Sequence, residues 1–261
     1  MPSERHPDWL VAEGLPAQVR GLMATRAGGV SQGACQGLNL RPNELPRATE
    51  DDPDHIRENQ RRFAAALDGA VPVYLNQVHG ADAVRLHRDT LPRPGDCPVA
   101  DASFTTDPGV ACTVLVADCL PVLLAAPAGR GVAAAHAGWR GLAGGVLENT
   151  ARALCEAADC EPSDLSAWLG ACIGPDRFEV GEEVRAAFLA QGQHAPERFR
   201  ATGTMGKWWA DLPGLARERL MHLGLRHISG GQWCTVSEPS RFFSFRRDRD
   251  TGRHAAAIWI V

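Results

Sequence analysis

Three polar side chains interrupt apolar, strand-like segments of this 261-residue chain: His79 in NQVHG, Cys119 in ADCLPVLL and His136 in AAAHAGWRG. Each falls at or near the end of a predicted strand, where distant chain segments can converge. Two imidazoles and a thiolate form a borderline-soft donor set suited to zinc, and three protein ligands leave the fourth position open, as a catalytic zinc requires. A water held there would have its pKa lowered to about 7. The same residues permit a second chemistry, with Cys119 as nucleophile and His136 or His79 as its base. The three lie far apart and fit no compact zinc spacing, and a lone His or Cys in an apolar strand is most often a core residue. Residue types alone leave metal ligation, nucleophilic catalysis and plain packing open.

Two glycine-rich segments are candidates for anion binding. TRAGGVSQGACQGLNL, from Thr25 to Leu40, contains neither GxGxxG nor GKS/T, so it is neither a dinucleotide fingerprint nor a P-loop. Arg26, Ser31 and Asn39 could reach a sugar hydroxyl or a phosphate from this loop. HAGWRGLAGG opens a predicted helix just after His136, and exposed amides beside an arginine make Arg140 the best phosphate candidate. Arg140 is therefore grouped with Cys119 and His136 as catalytic. Gln77 and Asp118, flanking the metal set, join Arg26 and Asn39 as substrate-binding candidates. GACIGPDRFEVGEEV holds Cys172, Asp176 and Glu179, which are not metal ligands by themselves. The basic run RFFSFRRDRDTGR is expected to be a solvated hairpin tip.

The elements that must position these residues follow from periodicity. Arg41–Asp52 reads as a loop. A helix follows, with Asp52 as cap, Pro53 at its first position and Ile56, Phe63 and Leu67 at helical spacing. Strands are predicted at Val71–Leu75, Ala83–Leu86, Val110–Ala117, Val122–Ala126 and Gly131–His136. Leu142, Val146, Leu147, Ala151 and Leu154 form one helical stripe, and further helices are expected over Gly181–Ala190 and Leu212–Leu223, the last stopped by Gly224. The C-terminus reads as a hairpin through Asp250-Thr251-Gly252 into the strand HAAAIWIV. Strands and helices do not alternate regularly, which favours an α+β architecture with mixed sheets in a single catalytic domain, 1–261.

A formal charge of -4 argues against a general nucleic-acid binder. The longest apolar stretch, Val110 to Ala128, is broken by Asp118, Cys119 and two prolines, so no membrane span is expected. The first residues lack a signal-peptide h-region, and the eight cysteines form no CxxC pair. A cytoplasmic protein with reduced, mostly buried thiols is expected.

TRAGGVS, GLNL, NQVHG, ADCLPVLL, AAAHAGWRGL, IGPDRFEVG and FFSFRRDRDTGR occur in one order along the chain. In that order they resemble the family known variously as laccase-like multicopper polyphenol oxidases, peptidoglycan editing factors or zinc-dependent purine nucleoside phosphorylases. The resemblance runs from about Thr25 to Ile260. It implies an α/β/β/α sandwich related to deamidating toxins that use a Cys–His pair, and zinc held by His79, Cys119 and His136. The activity it implies is phosphorolysis of adenosine, inosine and methylthioadenosine, with adenosine deamination as a side activity. The implied partners are thus a purine nucleoside and phosphate; the oligomeric state is left open. The chain departs from the family at Gln60, where relatives carry arginine next to Arg61, at Phe178 in place of tyrosine, and at GLNLR in place of SLNLG. The same resemblance raises two rivals: an amidase editing peptidoglycan precursors at the same site, and a copper oxidase. Nine histidines without one His-x-His pair do not build a conventional multicopper centre, although copper can occupy the three-ligand site.

Overall fold

The computed structural model describes residues 5–45, 50–93, 95–190 and 195–261. Its strands are β1 (Leu10–Val11), β2 (Val19–Met23), β3 (Val71–Val73), β4 (Ala83–Arg85), β5 (Ala102–Thr105), β6 (Val110–Val116) and β7 (Leu120–Ala125). They continue as β8 (Val132–Ala137), β9 (Ser166–Leu169), β10 (Glu179–Gly181), β11 (Phe199–Ala201), β12 (Lys207–Ala210), β13 (His227–Gly230) and β14 (His254–Ile260). The helices are α1 (Pro53–Ala65), α2 (Trp139–Ala143), α3 (Val146–Ala158), α4 (Glu182–Leu189), α5 (Leu212–His222) and α6 (Phe245–Asp248).

The first sheet has the order β1-β2-β14-β6-β3 and the second β13-β9-β7-β8-β5-β4; β10-β12-β11 form a smaller third. Both large sheets are mixed: β3 joins β6 in parallel, and the edge strands β13 and β4 of the second sheet are also parallel to their neighbours. One apolar layer lies between the two sheets, with Cys112, Val114 and Ile258 of the first meeting Leu123, Ala134 and Trp168 of the second. The outer face of the first sheet packs Leu115 and Ala257 on Phe63 and Leu67. The outer face of the second packs Val122 and Ala135 on Leu147, Leu154 and Leu220 of the helical layer. The result is the expected α+β, α/β/β/α arrangement. It explains why β6, β7, β8 and β14 read as largely apolar runs: both faces of each are covered, and every residue in them is buried.

The first helix forms as its sequence requires. The Asp52 carboxylate accepts from Asp54 N at 2.8 Å, Pro53 stands at the first turn, and Ile56 and Phe63 are buried. The stripe from Leu142 to Leu154 is buried as expected but spans two helices, α2 and α3, separated by Gly144 and a left-handed Gly145 (φ 92°). Gly224 at φ 100° follows the end of α5. Of the loop expected over Arg41–Asp52, residues 46–49 lie outside the described residues. All eight cysteines are free thiols, with Cys35, Cys112, Cys155 and Cys172 buried. Among the described residues no helix is long and apolar enough to cross a membrane.

The expected C-terminal hairpin does not form. Residues 245–248 are the short helix α6, capped by Ser244 accepting from Arg247 N, and β14 pairs with β2 and β6 instead. The basic run is solvated only in part: Phe245, Arg246 and residues 248–250 are exposed, but its start is not. Phe242, Phe243 and Ser244 are fully buried, and the Arg247 guanidinium donates to the carbonyls of Thr235, Val236 and Phe242. Those carbonyls belong to a loop without a strand partner, so the arginine supplies donors that a ladder would otherwise provide.

Candidate metal centre

The site lies where the chain changes sheets. β6 belongs to the first sheet and β7 to the second, and the crossing between them is Ala117-Asp118-Cys119. Asp118 adopts φ 97°, a conformation that side chains rarely take. Its carboxylate holds the bend, accepting from Thr235 Oγ1 and from Arg246 N, both at 2.6 Å. Cys119 is thereby delivered half-buried at the start of β7. His136 stands near the end of the adjacent strand β8 and is 3% exposed.

His79 arrives from the loop after β3, itself at φ 63°. Gln77 clamps this loop to β6 by donating to Leu115 O and accepting from Leu115 N, each at 2.8 Å. Val78, His79 and Gly80 all turn their backbone N–H groups onto the Asp101 carboxylate, at 3.0, 2.9 and 2.7 Å. Asp101 is fully buried, and its Oδ1 also lies 2.7 Å from His136 Nδ1.

The ligand atoms of His79, Cys119 and His136 lie within 4.8 Å of one another, a group able to hold a metal ion. Cys119 Sγ is 3.7 Å from His79 Nε2, and the two imidazoles meet edge to face with centroids 4.8 Å apart. Burial by itself would raise the Cys119 thiol, but the charge and hydrogen bond of His136, then His79, outweigh it and bring the pKa down to about 6. For His136 burial works downward, while Cys119 and Asp101 raise it to about 9. Without metal, the pair is a thiolate beside an imidazolium. Two nitrogens and a thiolate in tetrahedral-compatible proximity suit zinc or copper.

The other candidates are placed differently. Arg140 is exposed, its guanidinium stacked 4.4 Å over the Trp139 ring, two residues beyond Gly138 at the site wall. Asn39 is buried and donates to Asp51 Oδ2 at 2.7 Å while accepting from Arg253 N at 3.0 Å; Ser31 Oγ donates to the same Asp51 oxygen. Arg26 donates to the carbonyls of Gln36 and Pro239 and lies over Phe243. Each of these three thus has a framework partner. Gln60 donates to Leu40 O, and Arg61 pairs with Glu58 on the exposed side of α1, turned to that carboxylate.

Two site residues escaped the sequence reading. Asp101 is a lone acid entering an apolar strand in VADASF, the same kind of interruption that marked the histidines. Gly138 carries no such signal: only the fold shows that a Cβ there would meet His79 Cδ2 at 2.8 Å and Cys119 Sγ at 2.9 Å.

The fold and the site together define an α/β/β/α protein with a His–Cys–His group able to bind metal where the chain crosses from one sheet to the other. The chain belongs to the family described as multi-copper polyphenol oxidoreductase laccase, which it matches over residues 20–261. It is 44% identical over 256 residues to a protein of Escherichia coli named purine nucleoside phosphorylase YfiH, covering 98% of each chain. A purine nucleoside phosphorylase of Pseudomonas aeruginosa is also 44% identical, over 97% of each chain. Among solved structures, a Neisseria meningitidis protein superposes with TM-score 0.87 at 44% identity, over 97% of this chain and 99% of that one. YlmD of Geobacillus stearothermophilus superposes with TM-score 0.89 at 30% identity, over 99% of this chain and 98% of its own.

Proposed function

We propose that this chain is a zinc-dependent purine nucleoside phosphorylase of the cytoplasm. It would convert adenosine, inosine and methylthioadenosine with phosphate to the free base and the corresponding pentose 1-phosphate. The observation that carries this reading is the convergence of His79, Cys119 and His136 within 4.8 Å. It stands in a chain 44% identical, end to end, to proteins named purine nucleoside phosphorylase. The three side chains would hold the ion, and the softness of the thiolate with two imidazoles favours zinc. When bound, zinc supplies Lewis-acid polarisation of an oxygen ligand.

The chain's own residues do the rest. Gln77 and Asp101 fix the His79 loop, Asp118 fixes the bend before Cys119, and the exposed Arg140, two residues after Gly138, would receive phosphate. In phosphorolysis an oxygen of hydrogen phosphate bonds to C1′ as the C1′–N9 bond breaks, the electron pair leaves with N9, and the proton given up by the hydrogen phosphate goes to the purine. Arg140 would balance the charge of the attacking phosphate. Adenosine deamination is a side activity of the same pocket.

One observation favours a second reading. Without metal, Cys119, His136 and Asp101 form a thiolate–imidazolium–carboxylate series, the arrangement of a cysteine hydrolase, which would act on an amide such as a peptidoglycan precursor. Metal ligation and nucleophilic attack compete for the same thiolate.

Incubating the zinc-loaded protein with adenosine or inosine, with and without phosphate, separates the two. Phosphate-dependent release of base, lost in His79→Ala and Cys119→Ala, is expected. No base release from the zinc-loaded wild type would sink the phosphorylase reading and favour the amidase.

A further inference from the structure

We infer that Asp101 is the positioning residue of the metal centre: one buried carboxylate sets both histidines, and it presents His136 to the metal through Nε2. The inference rests on the reading that His79, Cys119 and His136 hold a metal ion.

The sheet register brings these groups together. β5 pairs with β8 with Ala102 opposite Ala135, so Asp101, one residue before β5, falls beside His136, and His136 N donates to Asp101 O at 2.7 Å. On its other side β5 runs parallel to β4, the strand that follows the His79 loop, and Asp101 N donates to Asp82 O at 3.1 Å. The Asp101 side chain therefore emerges between the two segments that carry the imidazoles.

Its oxygens are fully allocated. Oδ2 accepts from Val78 N at 3.0 Å and Gly80 N at 2.7 Å. Oδ1 accepts from His79 N at 2.9 Å and stands 2.7 Å from His136 Nδ1. Three backbone donors face this carboxylate, so it accepts from His136 as well, and the proton of that contact sits on Nδ1. That leaves Nε2, on the far side of the ring, as the nitrogen with a lone pair for a metal. The backbone bonds act on the other ligand: they hold residues 78–80 in the turn where His79 takes φ 63° and its Nε2 approaches Cys119 Sγ. Gly141 closes this turn from outside, since a Cβ there would meet Gly80 O at 2.6 Å.

Asparagine at this position has the same shape and the wrong donors. With its NH2 in place of Oδ2 it faces two backbone N–H groups. With its NH2 in place of Oδ1 it faces His79 N–H and makes His136 Nδ1 an acceptor, which moves the imidazole proton to Nε2 and removes the metal's lone pair.

Three measurements test the inference. In the zinc-loaded wild type, 15N NMR of the imidazoles is expected to show His136 protonated at Nδ1 and metal-bound at Nε2. For Asp101→Asn, chelator competition is expected to give a zinc affinity at least about tenfold weaker, the range found when a partner behind a ligand is lost. The visible spectrum of the cobalt-substituted variant is expected to lose the intensity of a tetrahedral thiolate site, a change that a loosened loop remote from the metal would not produce. Coordination of wild-type His136 through Nδ1, or wild-type zinc affinity and cobalt spectrum in a folded Asp101→Asn protein, overturns the inference while leaving the metal reading intact. A wild type that takes up no zinc overturns both. If Asp101→Asn fails to fold, the NMR of the wild type decides alone.

Discussion

Gly138 approaches Cys119 so closely that a Cβ on it would sit 2.9 Å from Sγ and 2.8 Å from His79 Cδ2. Its φ of -67° suits any residue, so the glycine answers a need for space, not for backbone freedom. Gly138→Ala is expected to push both side chains out of place and weaken zinc binding by about ten- to a hundredfold, comparable to losing a partner behind a ligand. Chelator competition reads this directly. An alanine variant with wild-type zinc affinity would show that the site relaxes around the methyl group.

The metal-free protein should carry one unusually acidic thiol. Cys119 falls to about 6, because His136 and His79 outweigh the burial that would raise it. Burial holds Cys112 and Cys155 up at about 12. The thiolate is the deprotonated and reactive form, so reactivity rises with pH through a midpoint near 6 and is already full at pH 7.5. Iodoacetamide labelling of metal-free protein across pH 5–9, located by peptide mass, checks the site and the midpoint. A midpoint near the ordinary thiol value at Cys119 would contradict the ion pair.

Asp118 accepts two hydrogen bonds at the crossing between sheets, one from a hydroxyl and one from a backbone N–H. The hydroxyl of Thr235 can turn and accept instead; the N–H of Arg246 cannot. Asp118→Asn can keep its oxygen on Arg246 N and offer its NH2 to Thr235, whereas Asp118→Ala orphans both donors. The expected order of stability is wild type, then Asn, then Ala, with Ala lower by at least about 1–3 kcal/mol for the orphaned N–H. Denaturant unfolding of the metal-free proteins measures it, and an Ala variant as stable as Asn would refute the assignment.

Arg140 is exposed and stacks its guanidinium on Trp139, two residues after Gly138. If it receives phosphate, Arg140→Ala raises the KM for phosphate about tenfold or more, as loss of a charge-assisted hydrogen bond of about 1.5–3 kcal/mol would do. The KM for nucleoside should change far less. Equal effects on both would place the arginine elsewhere in the mechanism.

Much of this was legible along the chain. The covered strands announced themselves as continuous apolar runs, α1 by its Asp52-Pro53 start, and the metal set by three polar residues where apolar side chains were due. The C-terminus reads as a hairpin because the phenylalanine-rich RFFSFRRD is joined by the turn residues Asp250-Thr251-Gly252 to an apolar strand. What keeps RFFSFRRD from pairing is nonlocal: Asp118 holds Arg246 N, and Arg247 serves the carbonyls of residues 235, 236 and 242.

Residue type and order alone determined which side chains were candidates to ligate a soft metal, which runs must be buried on both faces, and where the first helix begins, because these depend on local chemistry and periodicity. Only the tertiary structure decided that Asp101 stands between two histidines 57 positions apart in the chain (79 and 136), that Gly138 must lack a side chain, and that Asn39 and Ser31 serve Asp51. Strand register and the close approach of separate segments set those relationships, and neither leaves a periodic trace in the residues that take part.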